Sequence, residues 1–271
     1  MDQTIVTIEV GLEPEAKEFI VHRDLLCKAS PYFQSAFKGE FKEAQDRIIT
    51  LDDVSTRTFG IFQTWLYSGT LVLPEDSEAY LDPKRDHPKK CSDCGLIDAE
   101  DDPAEDWCKE LLDIFVLADK YNVPLLRREA MITVQHLDEI CGSRPSFESA
   151  CEAFERLPST SPYCGYVVDM YKHWWSPAEN QCSSCGSCSP LTLFNAEKTP
   201  RSLMFEIMKA SHHKNEDPTF KNGKTDWCAY HEHNSEEEVK ACRAQRKLEG
   251  RFGEYEYLDG EEDGSDHEAV D

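Results

Sequence analysis

The sequence has no run of about 18 consecutive apolar residues, the length that a membrane-spanning helix requires. Its first ten residues contain an acid, Asp2, and no basic residue, so we expect no secretory signal peptide. Basic residues are also scarce, with 29 Lys and Arg against 53 Asp and Glu and a formal net charge of -24. Because phosphate contacts require clustered Lys and Arg, we predict no direct binding to nucleic acid. The lack of a long apolar run predicts no membrane partner.

Signatures of catalytic sites are missing as well. There is no Gly-x-Ser-x-Gly elbow, no phosphate-binding loop, no glycine-rich dinucleotide fingerprint and no His-Glu-x-x-His pair. We therefore predict that the protein is not an enzyme and nominate no catalytic residue. Without a secretory signal, the 12 cysteines are expected to be thiols or metal ligands rather than disulfides, in a cytosolic or nuclear protein.

What is present is a chain of 271 residues, 39% of them hydrophobic, which is enough for one large domain or two small ones. Charged residues make up 30% of the chain and the mean hydropathy is -0.60, so long stretches must be solvated. Residues from about 74 to 106 are rich in Asp, Glu, Lys and Pro with little periodicity, which predicts a mobile acidic insertion. Residues 249–271 predict a disordered acidic tail.

Hydrophobic periodicity predicts three short strands near the start of the chain. Apolar residues alternate over residues 5–10, which is typical of a half-buried strand, and a polar turn leads to a second strand at 19–21. A third strand is predicted at 48–51, and a polar loop precedes it.

Helix signals lie around and after these strands. Ser30 followed by Pro31 predicts a helix start, and Gly39 a stop. Either Asp53 or Ser55 is expected to cap the next amphipathic helix. Residues 215–238 look irregular. Helical periodicity recurs over residues 111–121, 125–137, 146–157, 163–175 and 202–210.

Four motifs, in order, resemble the BTB/POZ domain family. The first, at residues 19–26, resembles the family's strand-to-helix entry, and the second, at 30–33, resembles its Ser-Pro-Tyr-Phe segment. The third, at 66–69, resembles its Tyr-Ser-Gly turn, and the fourth, at 117–126, its Leu-Ala-Asp-Lys-Tyr helix pair. The motif residues expected to have structural roles are His22 in the first motif; Ser30, Pro31, Tyr32 and Phe33 in the second; Tyr67 and Gly69 in the third; and Ala118 and Asp119 in the fourth.

The resemblance implies an α+β BTB/POZ fold, in which a helical cluster is flanked by a small β-sheet, and a role in protein–protein interaction. We assign the domain to residues 1–137 and a mostly helical C-terminal extension to residues 138–248. This extension resembles the helical, Cys/His-containing region of fungal BTB proteins. Because Ile5 follows Met1 so closely, the exchanged N-terminal strand of many family members is expected to be absent, which leaves homodimerisation open.

The segment Phe41-Lys42-Glu43 lies in the predicted polar loop. Family members that recruit a cullin ubiquitin-ligase scaffold carry a hydrophobic-x-Glu motif at the corresponding place, so the resemblance implies partner binding by Phe41 and Glu43. An exposed aromatic residue beside a charge is also typical of an interface anchor. The alternative interpretation places Phe41 in the core and leaves Glu43 solvated.

Cysteine and histidine recur at ligand spacing in three places. Two ligands separated by two intervening residues suit tetrahedral zinc, because a tight turn directs both side chains at one ion. The predicted metal site combines Cys182 and Cys185 with Cys228 and His231. Alternatively, the pair at residues 91 and 94 contributes, or all these cysteines are ordinary thiols and zinc does not bind.

Two functions follow from these patterns. The first is an interaction protein that acts as a substrate adaptor for a cullin-based ubiquitin ligase, with the scaffold and the ligase substrates as partners. The second is a zinc-stabilised oligomerising scaffold or transcription-associated protein.

Overall fold

A computed structural model of the protein describes residues 4–39, 41–72, 104–141, 145–174, 199–212, 220–221, 224–225 and 227–248. In chain order its elements are β1 Ile5–Val10, β2 Lys17–His22, α1 Arg23–Ala29, α2 Pro31–Lys38, α3 Lys42–Asp46, β3 Ile48–Leu51, α4 Thr56–Ser68, α5 Ala104–Lys120, α6 Pro124–Cys141, α7 Phe147–Arg156, α8 Pro162–Trp174, α9 Arg201–His212, β4 Phe220–Lys221, β5 Lys224–Thr225, a 3₁₀ helix Trp227–Tyr230 and α10 Glu236–Leu248.

The first three strands form one sheet with the order β2-β1-β3. β2 pairs antiparallel to β1, whereas β3 pairs parallel to β1 and needs a crossover connection, which α1, α2 and α3 provide. Val6, Ile8 and Val10 point to the core and are at most 2% exposed, while Ile5 on the opposite face is 50% exposed. The predicted alternation is therefore confirmed.

Capping side chains determine where the first long helices begin. The Ser30 hydroxyl accepts a hydrogen bond from the backbone N–H three residues later at 3.1 Å, and α2 starts at Pro31 as predicted. For α4, the cap is Ser55 and not Asp53, with the corresponding bond at 3.0 Å. Gly69 ends α4 at a φ of 75°, a left-handed conformation in which a side chain would add strain.

An aromatic cluster joins α2, α4 and α5. The ring of Phe33, which is fully buried, stacks with Phe62 at a centroid distance of 6.3 Å and with Tyr121 at 5.6 Å. Phe59 meets Phe62 edge-on at 5.5 Å and Phe19 of β2 at 4.8 Å, so the cluster reaches the sheet. Burial of each such ring contributes about 1.5–3 kcal/mol, so the cluster is a main source of stability.

Two distant motifs meet where α5 ends. The Ser30 hydroxyl donates to the backbone carbonyl of Tyr121 at 2.5 Å, and the Tyr121 hydroxyl donates to Asp53 at 3.1 Å. Lys120 also pairs with Asp53. Partial burial alone would raise the pKa of Asp53, but the hydrogen bonds and charge of these neighbours lower it below its ordinary value. The end of α5 is thereby held to the start of α2.

We predict that Ser30→Ala lowers the free energy of unfolding by about 2–4 kcal/mol, because it removes both a helix cap and a buried hydrogen bond. Chemical denaturation of the purified chain measures this. Ser55→Ala is the matched control, since the Ser55 hydroxyl caps α4 and otherwise bonds only the nearby Thr58 hydroxyl at 2.7 Å, with no contact to a distant helix, and we expect it to cost about 1 kcal/mol. Equal losses in the two variants would contradict the role given to the Tyr121 contact.

The helices of the C-terminal region pack directly on α5 and α6. Phe115 of α5 contacts Tyr163 of α8 at a ring distance of 5.3 Å, and Asp113 pairs with Arg156 of α7 at 2.6 Å. A single hydrophobic core runs from β1 to Tyr230. The predicted boundary between residues 137 and 138 falls inside α6.

Two segments differ from their predicted conformation. The predicted polar loop before β3 contains the one-turn helix α3, which is too short to show periodicity in the sequence. Residues 215–238, predicted to be irregular, contain the β4-β5 hairpin, the 3₁₀ helix and the start of α10. Helix α10 was missed because its residues form no apolar stripe: none of residues 236–245 is fully buried.

The predicted acidic tail lies outside the described residues, as does the predicted insertion, except for its last three residues, which begin α5. Among the helices that the structure describes, none combines the length and apolar character needed to cross a membrane.

Candidate functional site

Phe41 is presented to solvent at the start of α3. Its side chain is 60% exposed and therefore is not part of the core, and Glu43 in the first helical turn is exposed as well. Arg47 ends α3 in a left-handed conformation at a φ of 58°, and its carbonyl accepts a hydrogen bond from Thr7 of β1 at 2.9 Å. The exposed aromatic residue is thus carried by a short helix that is attached to the sheet.

Gly39 allows Phe41 to lie close to the end of α2. A Cβ atom at Gly39 would stand 2.7 Å from the Phe41 ring and 2.7 Å from the Ser35 carbonyl oxygen. The ring can move away, but the carbonyl belongs to the helix backbone, so a side chain here requires the backbone to shift. Glycine is required at this position for its small size.

We predict that Gly39→Ala lowers the free energy of unfolding by about 1–3 kcal/mol because of this backbone clash. Gly60→Ala is the matched control: a Cβ there meets nothing within 4 Å, and Gly60 lies within α4. Since alanine favours helix, we expect that variant to gain about 0.5–1 kcal/mol. Urea titrations of both variants measure whether their unfolding free energies change in opposite directions. An unfolding free energy of Gly39→Ala equal to that of the unchanged protein would contradict the close contact between Gly39 and the Ser35 carbonyl.

The first and third motifs meet through a hydrogen-bonded pair. The Tyr67 hydroxyl accepts from the backbone N–H of His22 at 3.2 Å and lies within hydrogen-bond distance of His22 Nδ1, at 2.8 Å. His22 stands at the N-cap position of α1, but its side chain makes no capping bond. His22 therefore acts in packing rather than as a cap.

The second motif contacts the fourth through aromatic rings, and a hydrogen bond and a salt bridge stabilise the turn within and after the fourth. Tyr32 contacts the Tyr121 ring edge-on at 5.2 Å. Ala118 is fully buried, and its carbonyl accepts from Val123 at 2.7 Å where α5 ends. Asp119 accepts from Arg127 of α6 at 2.9 Å, which fixes the angle between α5 and α6.

Four sulfur and nitrogen ligand groups converge beside α6. Cys228 in the 3₁₀ helix, His231 and His233 just after it, and Cys242 in α10 each offer one ligand atom, and these atoms all lie within 4.8 Å of one another. The Cys242 sulfur is 3.4 Å from His231 Nδ1. A hydrogen bond to Cys242 and burial raise the pKa of the Cys228 thiol to about 11, although the two imidazoles act in the opposite direction.

The hydrogen bonds of His231 indicate which of its ring nitrogens can act as a metal ligand. Gln135, fully buried in α6, donates through its side-chain nitrogen to the Trp227 carbonyl at 3.2 Å. The oxygen of the same amide therefore faces His231 Nε2 at 2.6 Å and must accept a hydrogen bond from it. In the neutral ring Nδ1 then carries the lone pair, and it faces the Cys242 sulfur.

The His233 side chain is only 4% exposed, and neither of its buried ring nitrogens makes a hydrogen bond of ordinary geometry, although the Cys228 thiol is close enough to interact with the ring. The Glu238 carboxylate lies 3.9 Å from Nδ1, which is too far for a hydrogen bond. Leaving such a group unsatisfied costs about 1–3 kcal/mol. Because this cost is large, we expect the His233 ring to bind a partner within the Cys/His cluster.

The structure brings together two of the four predicted metal ligands, Cys228 and His231. Cys182 and Cys185 lie outside the described residues, as does the alternative pair at residues 91 and 94. His233 and Cys242, which were not chosen as ligands, complete a set of four with the first two. The available signal was proximity in sequence, because Cys242 follows His233 by only nine residues.

Residues 2–83 match the profile of the BTB/POZ domain. Residues 2–83 are a BTB/POZ domain. The matched range contains the first three motifs and Phe41, while the fourth motif, on α5 and α6, follows it. The predicted fold class is confirmed: a three-stranded sheet with helices, continued by a mostly helical C-terminal region.

Kelch and BTB proteins are similar to about a quarter of this chain. The mouse protein "Kelch repeat and BTB domain-containing protein 4" is 38% identical over 68 residues, which are 25% of this chain and 13% of that protein. The zebrafish "Kelch-like protein 21" is 36% identical over 70 residues, 26% of this chain and 11% of its own length. The chain thus spans about an eighth of the length of these relatives.

Among solved structures, the BTB domain of human gigaxonin matches 46% of this chain and 72% of its own, with 15% sequence identity and a TM-score of 0.28. The fungal type of the C-terminal region, the compartment, the lack of nucleic-acid binding and the lack of enzymatic activity stay predictions.

Proposed function

We propose that the protein is a protein–protein interaction module that acts as a substrate adaptor for a cullin-based ubiquitin ligase, with Phe41 and Glu43 in the scaffold contact. The observation that carries this proposal is the exposure of Phe41 on α3 of a BTB/POZ domain. The similarity to kelch and BTB proteins supports it.

The chemistry of the Phe41 surface suits a docking anchor. Covering a phenyl ring that is 60% exposed is favourable, and the gain is at most about 1.5–3 kcal/mol, the value for fully burying a large apolar side chain. Glu43 adds a charge within one helical turn, so that the same surface can select a basic partner group. The short helix that carries both residues is held to the sheet and to α2, so little ordering is needed on binding.

An adaptor also has to hold its second partner in a defined position relative to the scaffold. In this protein, α7, α8 and the 3₁₀ helix share one core with the BTB/POZ domain. The Tyr230 hydroxyl hydrogen-bonds Asp169 of α8 at 2.5 Å, and Tyr166 bonds Asp138 of α6 at 3.2 Å. The C-terminal region is thus a rigid continuation of the domain and a suitable platform for a substrate.

We predict that Phe41→Ala with Glu43→Lys weakens binding of a purified cullin N-terminal region by about 30-fold or more, as expected when an interface hot spot is removed. Isothermal titration calorimetry measures this, and circular dichroism checks that the fold is intact. Phe205→Ala is the matched control, because Phe205 is 64% exposed but lies on α9. We expect its affinity to equal that of the unchanged protein.

Two results would contradict the adaptor function. In the first, the double variant binds the cullin as tightly as the unchanged protein, which removes Phe41 and Glu43 from the contact. In the second, the unchanged protein binds none of a panel of purified cullin scaffolds.

The second candidate function is a zinc-stabilised oligomerising scaffold or transcription-associated protein. The observation that favours it is the cluster of Cys228, His231, His233 and Cys242. The two functions differ in the role of the BTB/POZ domain, which would self-associate in the scaffold. Sedimentation of the purified chain separates them: a concentration-independent monomer that binds a cullin favours the adaptor, and a stable oligomer that binds none favours the scaffold.

A further inference from the structure

We propose that Cys228, His231, His233 and Cys242 are the four ligands of a structural zinc ion that fastens α10 to α6. The inference rests on the described C-terminal residues and is independent of cullin binding.

The donor set selects the metal. Two thiolates and two neutral imidazoles are the ligand types of structural zinc sites, whereas calcium and magnesium prefer oxygen. Binding releases the two thiol protons, so the dication and the two thiolates together carry no net charge. A neutral centre suits this location, because Cys228 and His231 are buried and a net charge there would be poorly solvated.

The geometry already approaches a tetrahedral site. Metal–sulfur distances of about 2.3 Å and metal–nitrogen distances of about 2.0–2.1 Å place ligand atoms roughly 3.3–3.8 Å apart. The Cys242 sulfur and His231 Nδ1 are 3.4 Å apart, and no pair in the cluster exceeds 4.8 Å. The rings of His231 and His233 are inclined at 72°, so they approach the centre from different directions.

The hydrogen bonds around the cluster prepare it for a cation. His231 donates from Nε2 to Gln135 and directs the lone pair of Nδ1 inward, which is the usual arrangement for a ligand histidine. A bound ion would also give one of the two buried nitrogens of His233 a partner. Both features are explained by one ion at the centre of the cluster.

The backbone of the ligand loop is held in place from α6. Glu232 adopts a left-handed conformation, with a φ of 49°, between the two ligand histidines. Its carboxylate accepts two hydrogen bonds from Arg127 at 2.5 and 3.0 Å, and Arg128 donates to the carbonyls of His231 and Glu232. Arg128 also pairs with Glu238 of α10 at 2.9 Å.

The ion would contribute most to the attachment of helix α10. None of its residues from 236 to 245 is fully buried, so hydrophobic packing contributes little to its attachment. Cys242 is its link to the buried half of the cluster. The ion would act as a cross-link from this helix, through His231 and Gln135, to α6.

The test is the zinc content of the full-length protein, purified with reductant and without chelator, measured by elemental mass spectrometry. We expect Cys242→Ser and His233→Asn each to contain about one equivalent less zinc than the unchanged protein, as four ligands of one site require. Cys151→Ser is the matched control, since Cys151 is also half-buried but lies on α7, and it should retain the full content.

A Cys182→Ser/Cys185→Ser variant distinguishes this ligand set from the one expected from the sequence. Zinc retained in that variant and lost from His233→Asn supports the proposal. Zinc lost from that variant and retained in His233→Asn overturns it. An unchanged protein without zinc also overturns it, whether its thiols are free or its intact mass shows a disulfide between Cys228 and Cys242.

His233→Cys keeps the test decisive if the other variants fail to fold. Reconstituted with one equivalent of Co²⁺, this variant should absorb about half as much again in the thiolate-to-metal charge-transfer band, because three thiolates replace two. The two proteins compared, with and without His233→Cys, both carry Cys182→Ser and Cys185→Ser. No increase in the band would exclude position 233 from the coordination sphere and overturn the proposal.

Discussion

The hydrogen bond from Ser30 to the Tyr121 carbonyl joins parts of the chain that are 91 residues apart. It satisfies a backbone group at the end of α5 with the same side chain that caps α2. The surrounding contacts depend on this hydrogen bond. Phe33 and Tyr32 pack against the Tyr121 ring, and the Asp53 carboxylate accepts a hydrogen bond from the Tyr121 hydroxyl. Because the pair is buried, water cannot replace either partner, and both helices are held in one arrangement.

The direction of α6 follows from this junction, and α6 in turn organises the C-terminal half. Asn122 takes a left-handed conformation with a φ of 49°, α6 starts at Pro124, and Arg127 returns to Asp119. The same helix then presents Arg128 and Gln135 to the ligand loop. Glu129 on another face accepts from the Trp65 indole and from the backbone of Leu71 at 2.6 Å each. One helix therefore contacts both the BTB/POZ domain and the Cys/His cluster.

The two proposed sites belong to different parts of the fold and use different physical chemistry. Binding at the Phe41 surface would be driven by apolar area that a partner removes from water, so this area contributes free energy only when the partner binds. The Cys/His cluster is internal, and its energy would go into holding α10 in place. Loss of the metal should therefore affect the C-terminal region first and leave the α3 surface intact.

The sequence by itself determined the local parts of this structure. The alternation in β1, the Ser30 cap before Pro31 and the stop of α2 at Gly39 depend on near neighbours, and each was found where it was expected. The α+β class was implied by the four motifs that resemble the BTB/POZ family. The sequence also identified Cys228 and His231 as ligand candidates, because a pair separated by two intervening residues is itself a local pattern.

Only the tertiary structure decided which groups meet. Whether Phe41 is exposed or buried depends on how α3 packs, and periodicity carries no information on a single helical turn. The partners of Cys228 and His231 were likewise open, because ligand sets are defined by distance in space and any of several cysteine pairs had suitable spacing. The left-handed turn at Glu232 and the position of α10 bring His233 and Cys242 to them, and both depend on contacts with α6, about 100 residues away along the chain.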